Sequence, residues 1–188
     1  MTHDVIVLLA VLGVGGQVLG ALLLLVGVAA VLGFQFPLRA LRRGVEGYEL
    51  WLAFLVTAVG TGGSLFFSET AGFIPCELCW FQRICMYPLA IVTLLAALAD
   101  DRRAARYLLP LPLVGAAVSV YHLLVENGVV AQSQICLLSA PGGCATKWID
   151  EFGYVTIPTL ALTAFALAFA FLLLAAAPVR SGRAAALP

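Results

Sequence analysis

Four of the five cysteines fall into two groups that could carry out thiol chemistry. Cys76 and Cys79 form a Cys-x-x-Cys motif, and Cys136 and Cys144 lie close together further along the chain. When such a motif opens a helix, the helix dipole and the free backbone N–H groups stabilise a thiolate. Because thiolates attack disulfides through mixed disulfides, the pattern predicts thiol–disulfide exchange.

Two other uses of these cysteines remain open from the residues alone. A structural zinc site can use four cysteines, but such sites usually present two tight Cys-x-x-Cys hairpins, and seven residues separate Cys136 from Cys144. Structural disulfides are the second alternative, although a bridge from Cys76 to Cys79 closes too short a loop to stabilise much. The pattern therefore favours redox chemistry without a metal.

The composition indicates that these cysteines belong to a membrane protein. Of the 188 residues, 63% are apolar and 11% are charged, whereas a soluble domain has about 45–50% and about 25%. The net charge of zero gives no electrostatic reason to expect a nucleic acid as partner. The first four residues, MTHD, lack the basic residues of a signal peptide. We therefore expect a lipid bilayer around the chain and a first apolar run that is retained.

Five apolar segments are long enough to cross the bilayer as helices, for which about 20 residues are needed. Helices are expected because a lipid-exposed backbone must satisfy its own hydrogen bonds, and the runs are too long and too uniformly apolar for barrel strands. The predicted spans are residues 5–34, 48–67, 80–98, 107–125 and 154–177. The predicted fold is an all-α integral membrane protein, with residues 1–188 in a single membrane domain.

The positions of the basic residues predict the orientation, because Lys and Arg are enriched in cytoplasmic loops. Basic residues follow the first, third and fifth spans: Arg39, Arg42, Arg43, Arg102, Arg103, Arg106, Arg180 and Arg183. The loop 68–75 has none, and the loop 126–153 has only Lys147. We predict a multi-pass protein of the cell membrane with a cytoplasmic C-terminus. Its N-terminus and all four paired cysteines would lie outside, where disulfides persist.

Four further side chains deserve a prediction. Arg83 is the only charge in its span and follows Cys79 by four residues, so both share a helix face. Because a charge within a membrane segment is costly, we expect Arg83 to contact a lipid-soluble electron acceptor or the Cys79 thiolate rather than simply to reach the interface. His122 could relay protons as this acceptor is reduced, or could be an interfacial residue. Cys85 is predicted to pack as a small apolar residue, and Trp148 to lie at the interface.

Two stretches of the sequence resemble a known family. The segment CELCWFQR at 76–83, followed by MYP at 86–88, resembles the DsbB family and especially its BdbC-like branch. Cys144 followed by Trp148, FG at 152–153 and IP at 157–158 is similar to the second-loop signature of that family. The similarity covers about residues 51–173.

The resemblance implies a four-helix bundle over 48–178, with redox loops 68–80 and 126–153 and an additional span within 1–37. It also implies quinone, ubiquinone or menaquinone, as electron acceptor, and a thioredoxin-fold, DsbA-like thiol oxidase as partner. Disulfides Cys76–Cys79 and Cys136–Cys144 are implied in turn. Matched by position, Cys136 would form the mixed disulfide with the partner, Cys144 would exchange with Cys76, and Cys79 would face the quinone.

The same resemblance implies that Arg83 matches the quinone-contacting arginine, and we expect His122 to be a second cofactor contact. Vitamin K epoxide reductase-like proteins are a near neighbour, but their Cys-x-x-Cys motif follows the loop pair, whereas here it comes first. A quinone-coupled reductase of that type is one alternative. A non-catalytic membrane scaffold whose cysteines bind metal or staple loops is the other.

Overall fold

Helices account for nearly all of the structure in the computed structural model, which describes residues 2–177. Within these residues the only β-type contact is an isolated bridge between Glu151 and Val155. Arg180 and Arg183, which supported the prediction of a cytoplasmic tail, lie outside the described residues. The helices are α1 Thr2–Val31, α2 Gln35–Val45, α3 Glu49–Leu65, α4 Glu77–Leu98, α5 Ala104–Leu108, α6 Pro110–Glu126, α7 Gln134–Ser139 and α8 Ile157–Ala176.

The prediction of five spans is confirmed. Within the described part of the chain, five helical stretches are long and apolar enough to cross a membrane. The second of them extends past the predicted end at residue 67, because α3 continues as a π-helical turn to Thr70. The third begins at Glu77 rather than at residue 80, because the Cys76 side chain caps the helix by accepting a hydrogen bond from the Cys79 N–H.

Four of the spans form a bundle, and the first span packs on its outside. α3 packs on α4 and α8, and α6 packs on the same two helices. Small residues such as Ala53 and Ala168 are fully buried between the helices, which allows the close approach that stabilises helix pairs in lipid. α1 packs mainly on α8, and only Ala10 and Ala30 of its residues are buried.

α2 is a helix that the sequence interpretation treated as a loop. It places Arg39, Arg42 and Arg43 on one side and the apolar Leu38 and Leu41 on the other, and it buries none of its residues. A short helix with one basic and one apolar face is suited to lie along a membrane surface. The prediction of a loop is therefore wrong for these residues, whose basic and apolar side chains recur with the 3.6-residue period of a helix.

An ion pair between the buried Glu49 and the half-buried Arg102 closes the end of the bundle that lies away from the cysteines. Glu49, at the start of α3, accepts hydrogen bonds from Arg102 at 2.7 and 3.3 Å and from the Gly47 N–H at 2.8 Å. Arg102 follows α4, so the pair ties the start of α3 to the connection between α4 and α5. Such a paired charge is tolerated where an isolated one would be costly.

Candidate functional site

The two cysteine groups meet at one end of the bundle. Cys76, Cys136 and Cys144 are buried in the same apolar cluster, and Cys79 packs against it. Cys136 and Cys144 form a disulfide. Cys76 and Cys79 are thiols, with their Sγ atoms 3.0 Å apart. Of the two disulfides expected from the sequence, the structure contains the second and holds the first pair as a dithiol within one helical turn.

The segment that carries the disulfide folds through short-range turns. The Ser133 hydroxyl caps α7 by accepting a hydrogen bond from the Cys136 N–H at 3.0 Å. Gly142 and Gly143 then reverse the chain with φ values of 79° and 73°, which only glycine adopts without strain. A side chain at Gly143 would also meet the Cys136 carbonyl oxygen at 3.1 Å. The two glycines thus return Cys144 to Cys136.

Polar contacts dock this segment onto the start of α4 and the end of α6. The Glu77 N–H donates to the Ser139 hydroxyl at 3.1 Å, and the Ser133 hydroxyl donates to the Glu77 carboxylate at 3.5 Å. On the other side, His122 Nε2 lies 3.0 Å from the Cys144 carbonyl oxygen. These bonds hold the disulfide beside the Cys-x-x-Cys motif.

Cys76 is surrounded by groups that stabilise its thiolate. The Cys79 thiol lies within hydrogen-bond range, His122 Nε2 lies 3.7 Å away, and the Cys79 N–H donates to Cys76 Sγ at 3.4 Å. The hydrogen bond from the Cys79 thiol lowers the pKa of Cys76 most, and His122 lowers it further, whereas burial opposes them. The net effect is a pKa well below the ordinary value for cysteine. Cys76 is thus the better thiolate while the pair is reduced.

His122 lies beside the thiols rather than beside the cavity described next. Its side chain is 3% exposed, and its Nε2 is placed between Cys76 and Cys144. Its Nδ1 has no hydrogen-bond partner among the described residues. Glu126, one turn along α6, is also buried and accepts a hydrogen bond from the Thr156 hydroxyl at 2.8 Å. The geometry therefore connects His122 with thiol chemistry, and its predicted contact with quinone stays a prediction.

A cavity of about 290 Å³ opens on the other side of the motif. It lies between α1, α3, α4 and α8, and most of its lining is apolar. Cys79 and Arg83 both line it, as expected for two residues on one helix face. Cys76 and His122 are not among the lining residues. The Cys-x-x-Cys motif thus has one cysteine toward the disulfide and one toward an apolar cavity.

Arg83 is held across the helix interface instead of reaching away from the bundle. Its Nε donates to the Ser64 hydroxyl at 3.0 Å, and its Nη2 donates to the Ser64 carbonyl oxygen at 2.9 Å. The guanidinium carbon also lies 5.3 Å from the centre of the Trp80 ring, a cation–π contact. Because a guanidinium has five N–H donors, other donors remain for a ligand in the cavity.

Several residues line the cavity that the sequence interpretation did not assign to a ligand site. Trp148, predicted to lie at the interface, stacks on Phe73 with ring centres 5.2 Å apart, and both line the cavity. Ser64, which anchors Arg83, follows a glycine-rich run on a different helix, so no local spacing pointed to it. Gln82, also on the lining, donates to the Ser119 hydroxyl at 3.0 Å. Trp148 and Gln82 fall within the motifs that carried the family resemblance, which was the signal available for them.

The states of the five cysteines bear on the alternative that the site binds a metal ion. Cys76 Sγ, Cys79 Sγ and a ring nitrogen of His122 lie within 4.8 Å of one another and could hold a metal ion. Cys136 and Cys144 are bonded to each other, so a site of four cysteines cannot form in this state. Cys85 is buried beside Met86 and Phe165, the environment expected of a packing residue.

Comparisons with known proteins identify the family that the chain is similar to. The family described as "Disulfide bond formation protein DsbB" matches residues 48–177. The chain is 43% identical over 127 residues to disulfide bond formation protein C of Bacillus subtilis, covering 66% of this chain and 90% of the relative. It is 42% identical over 131 residues to a probable disulfide formation protein of Deinococcus radiodurans, covering 66% and 86%. No solved structure matches the chain.

Proposed function

Because the chain belongs to the DsbB family of disulfide bond formation proteins, we propose that it reoxidises a thioredoxin-fold partner and passes the electrons to quinone. Membership of the family makes it a membrane oxidoreductase of disulfide formation. The proposal adds a DsbA-like thiol oxidase outside the membrane as electron donor, and ubiquinone or menaquinone as acceptor. We also propose the plasma membrane as its location, with the cysteines on the outer side.

One observation carries the proposal: the two cysteines of the motif have different neighbours. Cys76 is buried with the Cys136–Cys144 disulfide and does not line the cavity, whereas Cys79, which also packs against that cluster, lines the apolar cavity with Arg83. This arrangement offers a route by which electrons that enter at the disulfide could leave at the cavity. An apolar cavity with one cation and one thiol also suits a quinone, which is apolar except at its carbonyl oxygens.

The proposed cycle consists of two disulfide exchanges and one oxidation. A thiolate of the partner attacks Cys136, which breaks the Cys136–Cys144 bond and forms a mixed disulfide. The second thiol of the partner then attacks this mixed disulfide. The partner leaves with its own disulfide, and Cys136 and Cys144 remain as thiols. Cys144 attacks Cys76 of an oxidised Cys76–Cys79 pair, which forms a Cys144–Cys76 bond and releases Cys79. Cys136 then attacks Cys144, which restores the Cys136–Cys144 disulfide and leaves Cys76 and Cys79 as thiols. A Cys136–Cys144 disulfide beside a Cys76–Cys79 dithiol is the state that this step would produce.

The last step returns the motif to its disulfide. Quinone, when bound, takes up two electrons and two protons and leaves as quinol. Cys79 would face it, and Arg83, fixed by Ser64, would donate a hydrogen bond to a carbonyl oxygen. Cys76 lies 3.0 Å from Cys79 and, as a thiolate, closes the bond once Cys79 has given up its electrons. His122 lies close enough to Cys76 to take part in the proton transfers.

The test is quinone reduction by the purified protein supplied with a reduced thioredoxin-fold partner or with dithiothreitol. We expect turnover by the parent and background rates for Cys79→Ser. Cys85→Ser is the matched control, because Cys85 lies on the same helix, buried with Met86 and Phe165, and should leave turnover unchanged. Equal turnover by Cys79→Ser and the parent would disprove the mechanism.

The metal-binding scaffold is a second candidate, because Cys76, Cys79 and His122 could hold an ion. Metal analysis of the purified, reduced protein separates the two functions. Stoichiometric zinc without quinone reduction would favour the scaffold. We expect turnover in metal-free protein.

A further inference from the structure

We infer that α1 belongs to the quinone site and that its outer half helps to select the isoprenoid tail of the substrate; this inference rests on the proposed function. The family match begins at residue 48, so α1 lies outside it. Even so, α1 contributes Leu9, Leu12, Gly13 and Gly16 to the cavity that contains Cys79 and Arg83. An element outside the family's matched region therefore supplies part of the wall of its reaction site.

Close contacts seat α1 against the two helices that it covers. A methyl group at Gly13 would collide with Leu160 of α8, and one at Gly16 would lie 3.0 Å from Thr163. On the other side, the methyl groups of Leu9 lie 3.5 Å from the position that a side chain at Gly63 of α3 would take. Hence α1 bridges α3 and α8, which pack against each other beneath it.

The closest glycine contacts of α1 lie at the cavity. Gly13 and Gly16 both line the cavity and touch α8, whereas a side chain at Gly20, one turn further along, would meet Leu167 only at 3.8 Å. Gly15 and Gly27 have nothing within 4 Å of the position of a side chain. Most of α1 is exposed, including large apolar residues along its length. Lipid-facing packing alone gives no reason for the close approach to coincide with the cavity.

The distribution of polar groups around the cavity indicates where the ring and the tail of the quinone would lie. The thiol of Cys79 and the guanidinium of Arg83 suit the carbonyl-bearing ring. The portion of the wall from α1 carries only leucine and glycine, and the stretch from Leu9 to Gly16 covers about 10 Å along the helix axis. Such a wall offers no partner to the carbonyl oxygens and suits the longest apolar part of a quinone, its isoprenoid tail.

The first experiment compares a variant that narrows the cavity with a matched control. Leu12 lines the cavity and is 51% exposed, whereas Leu8, one turn away, is 56% exposed and does not line it. Leu12→Trp should raise the KM for a long-tailed quinone by about tenfold, since two lost methylene contacts suffice for that change. The KM for a quinone without an isoprenoid tail and the KM for dithiothreitol should change less than about twofold.

Leu8→Trp should have the same KM as the parent for each of the three substrates. Gly16→Leu and Gly15→Leu form a second pair: Gly16→Leu should act like Leu12→Trp, and Gly15→Leu should be silent. The inference is overturned if Leu12→Trp leaves the KM for long-tailed quinone unchanged, or raises it equally for the tail-less quinone. Because both leucines are partly exposed, the first pair should fold even if Gly16→Leu does not.

A binding measurement separates this inference from the proposed function. A quinone with a photoreactive diazirine on its tail is irradiated with the full-length parent, and the labelled peptides are identified by mass spectrometry. We expect label on the peptide that contains Leu9–Gly16, and its loss when excess long-tailed quinone competes. Competed label on α3, α4 or α8 without α1 would overturn the role of α1 and leave the quinone site intact. Absence of any competed label would overturn both.

Discussion

The side chains around Cys76 determine which sulfur of the motif is charged. Cys76 caps α4, receives hydrogen bonds from Cys79, and lies beside His122. A helix N-terminus, a thiol donor and an imidazole all favour the negative form of the same sulfur. The charge is thus placed next to the disulfide with which Cys76 is proposed to exchange.

This placement predicts how the alkylation of Cys76 depends on pH. A thiolate reacts and a thiol does not, so reactivity persists above the pKa and is lost as the pH falls through it. With its pKa lowered, Cys76 of the reduced protein should still react with iodoacetamide at about pH 6, well below the ordinary midpoint of about 8.5. The rate at Cys76 is followed by mass spectrometry of its peptide.

The control variants remove the donor that lowers the pKa of Cys76 most. Cys79→Ala should move the midpoint for Cys76 toward the ordinary value. Cys79→Ser keeps a hydroxyl donor and should move it less. A parent midpoint near 8.5, or identical midpoints in the parent and Cys79→Ala, would contradict the prediction.

The position of Arg83 predicts that its replacement impairs the use of quinone and no other step of the reaction. Loss of one hydrogen bond from a charged donor removes about 1.5–3 kcal/mol, so Arg83→Ala should raise the KM for quinone by about 10- to 100-fold. Exchange with the dithiol donor is proposed to take place at Cys136 and Cys144 and should therefore be unaffected. Steady-state kinetics with each substrate varied in turn provides the measurement.

Arg39→Ala is a suitable control for Arg83→Ala, because Arg39 is an exposed arginine on α2. It should leave both KM values unchanged. If Arg83→Ala behaves in the same way, Arg83 serves only to fasten α4 to α3 through Ser64.

At the scale of helices, the packing of α6 against α8 depends on one glycine. A methyl group at Gly115 would overlap the ring of Phe165, which is completely buried and lines the cavity. Gly115→Ala should therefore destabilise the bundle by about 1–3 kcal/mol, the usual cost of overpacking. Thermal unfolding in detergent measures the change.

Gly62→Ala gives the comparison for Gly115→Ala, because nothing lies within 4 Å of the position of its side chain. Alanine has the higher helix propensity, so this variant should be neutral or more stable by up to about 1 kcal/mol. Equal unfolding temperatures for the two variants would mean that α6 can shift away from Phe165.

At the scale of the whole molecule, the proposed orientation predicts which residues a membrane-impermeant maleimide reaches. In a variant without native cysteines, Lys147→Cys should be labelled in intact cells. Ala40→Cys, on α2, should be labelled only after permeabilisation, since the basic loops are expected in the cytoplasm. The reverse pattern would invert the topology and place the disulfide in a reducing compartment.

The number of spans and the family of the chain could be recognised from the amino-acid sequence alone. A helix in lipid needs a long apolar run, so the five spans could be recognised from composition and length alone. The shared face of Cys79 and Arg83 also followed from their spacing, because residues four apart are neighbours on any helix. The motifs at 76–88 and 144–158 were enough to point to the family.

The neighbours of each side chain on other helices and loops became known from the tertiary structure. A span surrounded by lipid is apolar on every side, so its composition does not reveal the face that meets another helix. Ser64 binds Arg83 from another helix, His122 approaches Cys76 across 46 positions of sequence, and Trp148 reaches the cavity from a loop. The contribution of α1 to the cavity is decided in the same way, because it depends on how one uniformly apolar helix is rotated against another.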